Sequence, residues 1–128
     1  MKGIKLVRAI LLLGTVGCGS DSTSPVEACN QINATVCARI YECYTAAQIA
    51  AAGYPASESA CVTMTQANAG CAAKTSSNIC TGGNAVYHGE NVGGCIDQLD
   101  GLTCAEVMSN ADVTAGAPKC DEVCLTPT

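Results

Sequence analysis

The chain has 128 residues, 11 of them cysteine, and it contains no Phe and no Trp. This length suits a single domain, and the composition excludes the aromatic-rich core of most soluble domains, so disulfides are the expected substitute. The formal net charge of −5 becomes −8 after residue 17, because three of the six basic residues precede Cys18 and all eleven acidic residues follow it; a chain this acidic repels phosphate backbones and is not expected to bind nucleic acid.

Residues 1–17 predict an export signal. A positively charged start with Lys2, Lys5 and Arg8 is followed by the apolar run 9–16 and a small residue, which is the three-part order of a signal peptide. The apolar run is far shorter than the ~18 residues that span a bilayer. We therefore interpret the segment as a lipoprotein signal peptide rather than as a membrane helix.

The end of this leader resembles a bacterial lipobox, in which the peptide is cut before a cysteine whose thiol carries lipid. The stretch TVGC ends on Cys18 and departs from the lipobox at Thr15, where leucine is preferred. We predict lipid attachment at Cys18, so the membrane is an expected partner, and Gly19 implies by the same resemblance the outer membrane or cell surface. Residues 18–25 are predicted to be a flexible polar tether. The alternative is a soluble secreted protein without lipid on Cys18.

The first predicted helix of the body covers residues 26–44. Apolar residues and cysteines recur there at steps of three and four, which is the period of a helix with one buried face. Pro25 suits the first turn of such a helix. The following segment, 45–56, is predicted to break the pattern around Gly-Tyr-Pro at 53–55.

A second helix is predicted over residues 57–74. Ser57 or Ser59 is its candidate N-cap, and Gly70 weakens its end. Residues 78–94 contain five glycines and three asparagines, and we interpret them as a loop, tied down by Cys80 and Cys95.

Two short helices are predicted after this loop. The first carries Ile96 and Leu99 and ends near Gly101, and the second starts at Thr103, where Thr-Cys-Ala-Glu is a capping-box pattern. A continuous helix would place Cys95 and Cys104 about 180° apart. We therefore expect a break that lets both cysteines face the interior.

The C-terminal segment predicts one or two helical turns. Pro118 precedes them, and Cys120 and Cys124 are expected on one face. No long alternating β pattern occurs in the sequence. The predicted fold class is a small all-α, disulfide-stapled helical bundle with long loops, over residues 26–128.

Cysteine parity supports both the anchor and the cross-links. An odd cysteine in an exported protein requires an explanation, and lipid on Cys18 leaves ten others, enough for five bridges. These ten are the predicted disulfide set: Cys29, Cys37, Cys43, Cys61, Cys71, Cys80, Cys95, Cys104, Cys120 and Cys124. Their pairing cannot be read from spacing. If the first two helices are antiparallel neighbours, Cys43 and Cys61 flank their connection and are the favoured pair.

The cysteine spacing resembles that of a known group of proteins. The lipobox, the Ser/Asp tether, the opening ACxxxxxxxCxxxYxCY, the segment CxxxLxxLxC and a Pro-x-Cys ending are similar to the small cysteine-rich lipoproteins of myxobacteria and related bacteria. The resemblance covers nearly the whole chain. It implies a location in the cell envelope and little about chemistry.

Few residues suggest catalysis or metal binding. His88 is the one histidine, and Glu90 lies nearby, but a single imidazole in a glycine-rich loop is usually a solvated residue. Paired cysteines leave no thiolate for nucleophilic catalysis and favour disulfides over metal ligation at Cys120 and Cys124. We predict no cofactor and no metal.

Two classes of function remain. The favoured one is a non-enzymatic envelope lipoprotein whose body is a binding or structural module for another envelope or extracellular protein or ligand. The alternative is a secreted enzyme or enzyme inhibitor with its site in the glycine-rich loop around His88.

Overall fold

The computed structural model describes residues 22–128. The predicted signal peptide, the lipobox and Cys18 lie outside these residues. Within them, the chain forms five α-helices: α1 (Pro25–Cys43), α2 (Ala46–Ala51), α3 (Glu58–Ala69), α4 (Val92–Asp100) and α5 (Cys104–Ser109). Four short 3-10 helices cover Cys71–Ala73, Gly89–Asn91, Val113–Gly116 and Pro118–Val123. The predicted small, helical, disulfide-rich fold is confirmed.

A two-stranded antiparallel ribbon is the one sheet of this region. It joins β1 (Val86–Tyr87) to β2 (Cys124–Leu125), with Val86 opposite Leu125 and Tyr87 opposite Cys124. The ribbon brings the C-terminus back beside the glycine-rich loop.

Helix α1 is the centre of the fold, and it packs against α3, α4 and α5. Pro25 occupies its first turn, and the Ser24 side chain accepts a hydrogen bond from the Glu27 backbone N–H, which satisfies a donor that a helix start leaves free. The prediction of a helix over 26–44 is confirmed to within one residue.

Helix α2 lies inside the segment that was predicted as a break. Thr45 caps it: the Thr45 hydroxyl accepts from the Gln48 backbone, and the Gln48 side chain accepts from the Thr45 N–H, at 3.2 and 2.8 Å. This is a complete capping box, and it stabilises one short helix before Gly53 turns the chain. The predicted break at residues 53–55 is confirmed, but the short helix that precedes it was not predicted.

Helix α4 begins at Val92, inside the loop that was predicted to run to residue 94. Val92, Cys95 and Leu99 are fully buried and follow the helical spacing of three and four. This periodicity is weak in the sequence because Gly93 and Gly94 contribute no apolar side chain to the first turn of α4. Helix α5 starts as predicted, with a capping box between Thr103 and Glu106.

The core combines aliphatic side chains with disulfide sulfur. Its fully buried members are four cysteines and small or medium apolar residues: Cys37, Cys61, Cys71, Cys95, Ala28, Val92, Leu99, Val107 and Ala117. Cys104 was expected to face the interior with Cys95, but the structure places it at the exposed start of α5. Cys104 bonds to Cys43 at the end of α1, so it can form its disulfide without facing the interior.

Candidate binding cleft

Five disulfides link the ten described cysteines to one another. The pairs are Cys29–Cys71, Cys37–Cys61, Cys43–Cys104, Cys80–Cys124 and Cys95–Cys120. Two of these pairs are nested in the N-terminal half and two in the C-terminal half. Cys43–Cys104 is the bridge that joins the halves.

The predicted pair Cys43–Cys61 is wrong. The bridges from Cys29 and Cys37 run to Cys71 and Cys61, so α1 and α3 are antiparallel neighbours, as supposed, but in a register that sets Cys61 against Cys37. Cys43 lies six residues further along α1, about 9 Å along the helix axis. The connection between the two helices contains α2. Because this connection is long, Cys61 does not lie beside the end of α1.

Cys120 and Cys124 do not share one helical face. The segment Pro118–Val123 is a 3-10 helix, in which residues four apart point about 120° from each other, and Cys124 belongs to β2. The two cysteines therefore bond in different directions, to Cys95 and Cys80. These bridges tie both ends of the glycine-rich loop to the C-terminal segment.

His88 and Glu90 form a pair on the surface. His88 Nδ1 lies 2.9 Å from Glu90 Oε1, and their side chains are 33% and 53% exposed. The hydrogen bond to His88 lowers the pKa of the Glu90 carboxyl. Neither residue lines the cleft described next or the cavity beside it.

An uncharged cleft lies between the C-terminal end of α1, helix α2 and the segment that follows α5. Its volume is about 380 Å³, within the range of small-molecule sites. The lining residues are Ile40, Tyr44, Ile49, Ala52, Tyr54, Met108, Ser109, Asn110, Ala111 and Val113. We call this the α2 cleft. A neighbouring cavity of about 390 Å³ shares Tyr44, Ile49 and Tyr54 with it and adds Tyr41.

The floor of the α2 cleft is buried and its rim is accessible. Ile40, Ile49 and Val113 are buried, whereas Met108 is 43% exposed. The Tyr41 hydroxyl donates a hydrogen bond to the Pro55 carbonyl, which holds the segment after α2 against α1. The floor is therefore preformed, which favours binding because little has to be ordered when a ligand enters.

The Tyr41 hydroxyl, beside the α2 cleft, has a pKa above its ordinary value. Burial is the main cause that raises the pKa of Tyr41, and the negative charges of ionised Tyr54 and Glu58 act in the same direction. Phenols, a thioether and aliphatic groups can bind a ligand by contact and hydrogen bonding. The lining of the α2 cleft contains no histidine and no carboxylate, which are the usual side chains for general acid–base catalysis.

The sequence analysis did not identify this cleft. Three of the four tyrosines, Tyr41, Tyr44 and Tyr54, lie between residues 40 and 55. That clustering, together with the Thr45 to Gln48 capping pattern, was a usable signal. The contribution of Met108 and Val113 depends on the packing of α5 against α1 and could not be read locally.

Residues 22–128 contain no group of three or more His, Cys, Asp and Glu side chains placed to hold a metal ion. None of their helices combines the length and apolar character needed to cross a bilayer. Comparison of the chain with protein-family models, curated proteins and solved structures finds no match.

Proposed function

We propose that this protein is exported and anchored to the bacterial cell envelope by lipid on Cys18, and that its disulfide-stapled body is a non-enzymatic binding module. The outer membrane or cell surface is the proposed location. The α2 cleft is the proposed binding surface, for a small ligand or a partner side chain that is largely apolar.

The observation that carries this proposal is the complete pairing of the cysteines after Cys18. The ten described cysteines bond to one another, so none of them is left to bond Cys18. A leader that ends on this cysteine gives the remaining thiol a use as an acylation site. Five disulfides also suit an oxidising compartment outside the cytoplasm.

The chemistry of the α2 cleft supports binding rather than catalysis. Its lining is uncharged, and the one histidine lies elsewhere, paired with Glu90 on the surface. The lining combines apolar side chains with hydroxyl and amide groups, and both kinds of group are found in small-ligand sites.

The anchor is tested by intact mass of the protein from the membrane fraction, before and after reduction. We expect a chain that begins at Cys18 and carries lipid, and a gain of two hydrogens per disulfide on reduction. Cys18→Ser should release the protein from the membrane, whereas Ser20→Ala, which leaves the thiol in place, should not. Membrane-free protein with an unmodified Cys18 would refute the anchor.

The α2 cleft is tested with the neutral fluorescent probe N-phenyl-1-naphthylamine. Met108→Glu places a charge at the rim and should weaken probe binding about tenfold. Val86→Glu is the matched control, because Val86 is 47% exposed and Met108 is 43% exposed, but Val86 lies on the ribbon. Equal effects of the two substitutions would exclude the α2 cleft as the binding surface.

A further inference from the structure

The chain just before α1 is docked on the body. The Thr23 N–H donates to the Gly89 carbonyl at 3.2 Å, and the Tyr87 hydroxyl donates to the Thr23 carbonyl. A methyl group on Gly89 would lie 2.4 Å from both the Ser22 Oγ and the Thr23 carbonyl oxygen, so only glycine permits this approach. Within the part of the chain that the structure describes, Ser22 and Thr23 therefore contact the folded body, and Pro25 belongs to α1.

The docked chain leaves little length between the body and the anchor. Four residue steps separate Cys18 from Ser22, and a fully extended chain covers at most about 14 Å in that number. A folded domain of this size has a radius of gyration of about 13 Å. A body attached to lipid at Cys18 thus has the surface around Ser22 at the headgroups.

The ribbon that adjoins this dock exposes two apolar side chains. Val86 and Leu125 face each other across the ribbon and are 47% and 42% exposed. Tyr87, which holds Thr23, follows Val86 in β1, so its side chain lies on the inner face of the ribbon and the Val86–Leu125 pair lies on the outer face. These two are among three large hydrophobic side chains that residues 22–128 expose, and the third, Met108, lines the α2 cleft.

We propose that the Val86–Leu125 pair is a membrane-contact surface, which fixes the orientation of the anchored protein and turns the α2 cleft away from the bilayer. The inference rests on the proposed lipid anchor. Helix α1 runs about 28 Å from Pro25 beside the dock to Cys43, and Ile40 and Tyr44 at its far end line the α2 cleft. A ligand would then reach the α2 cleft from the medium.

The expected membrane partner is a headgroup layer without net negative charge. The acidic residues Glu90 and Glu122 adjoin the ribbon and are exposed, and carboxylates repel anionic lipids. The apolar pair can enter between zwitterionic headgroups, as side chains of interfacial proteins do.

Tryptophan quenching tests the orientation, because the chain has no Trp of its own. The anchored protein is placed in phosphatidylcholine vesicles that contain a lipid spin-labelled near its headgroup. We expect Leu125→Trp to be quenched several-fold more than Met108→Trp. Equal quenching at the two positions, or none at either, would overturn the membrane-contact surface.

Two substitutions to alanine test the dock itself. In the Leu125→Trp protein, Gly89→Ala should displace the chain at Ser22 and reduce quenching towards the Met108→Trp level. Gly93→Ala is the matched control, since an added methyl there meets nothing within 4 Å. If Gly89→Ala fails to fold, a Gly-Ser insert of about twelve residues before Ser22 lengthens the tether instead and should also reduce quenching. Unchanged quenching with the longer tether would refute control by the dock.

Failure of the anchor is distinguished from failure of the orientation by two readouts. Flotation with the vesicles reports the lipid, and quenching reports which surface faces the bilayer. If Cys18 proves to carry no lipid, its thiol is coupled to a maleimide-headgroup lipid, and the same comparison of Leu125→Trp with Met108→Trp decides the membrane-contact surface.

Discussion

Arg39 is a charged residue in the interior of a small protein. It is 8% exposed, and its guanidinium donates to the Leu102 carbonyl and to the Glu42 carboxylate and lies 3.8 Å from Cys43 Sγ. Its Nε finds no hydrogen-bond partner among the described residues. Arg39 thereby joins the end of α1 to the turn that precedes α5, at the same place as the Cys43–Cys104 bridge.

We predict that Arg39→Met lowers the free energy of unfolding by about 1–3 kcal/mol, because the Leu102 carbonyl loses its buried donor. Urea unfolding with the disulfides intact measures this loss. Glu42→Gln is the control: the Glu42 side chain is 64% exposed, so losing its charge should cost less than about 1 kcal/mol. Equal losses would mean that the ion pair, rather than the carbonyl contact, is the stabilising interaction.

At the scale of elements, helix ends rather than helix interiors determine where this chain turns. Ser24, Thr45, Ser57 and Thr103 each cap a helix through the side-chain oxygen. At the other end of α3, Gly70 has a φ of +64°, the left-handed conformation that glycine adopts without strain. The chain then enters the 3-10 turn that carries Cys71, so this helix end places the sulfur for its bridge to α1.

We predict that Gly70→Ala destabilises the protein by about 1 kcal/mol. Space is not the cause, since an added methyl meets nothing within 4 Å; the cause is the positive φ. Gly93→Ala, in the first turn of α4 and equally free of contacts, should instead be neutral or stabilise by up to about 1 kcal/mol. Thermal unfolding of both variants measures the direction of each change in stability. A loss of stability at both positions would contradict the explanation by the positive φ of Gly70.

On the scale of the whole molecule, disulfides divide the body into two cross-linked halves. The nested pairs hold α1 to α3 and the loop region to the C-terminal segment, while Cys43–Cys104 crosses between them with a sequence separation of 61. A loop of that length loses much chain entropy when it is closed, and such a bridge typically contributes about 3–4 kcal/mol. The bridge therefore holds α5, and with it one wall of the α2 cleft, against α1.

We predict that the double variant Cys43→Ala/Cys104→Ala loses about 3–4 kcal/mol of stability and that amide hydrogen exchange accelerates in α5 but not in α3. The contrast arises because two bridges still hold α3 to α1. Hydrogen exchange with mass spectrometry measures both helices in one sample. Equal acceleration of exchange in α3 and α5 of the double variant would refute this assignment of the bridges. A non-reducing peptide map of the unsubstituted protein that joins Cys43 to a cysteine other than Cys104 would also refute it.

Local patterns in the sequence were sufficient for the fold class and for several helix positions. Eleven cysteines without Phe or Trp predicted a disulfide-stapled body, the period of three and four predicted α1, and Thr103 with Glu106 predicted the start of α5. Each of these signals acts within one or two helical turns, so neighbouring residues contain all the information. Helix α2 was missed although its signal, Thr45 with Gln48, was equally local.

Only the tertiary structure decided which cysteines pair, where the α2 cleft lies and how Ser22 and Thr23 dock at Gly89. These features depend on which helices become neighbours and in which register, and residues as distant as Cys43 and Cys104 meet only after packing. The sequence by itself determined that cross-links replace an aromatic core, because its composition supplies many cysteines and lacks Phe and Trp. The three-dimensional arrangement of α1, α3 and α5 determined which cysteines pair and where the α2 cleft forms.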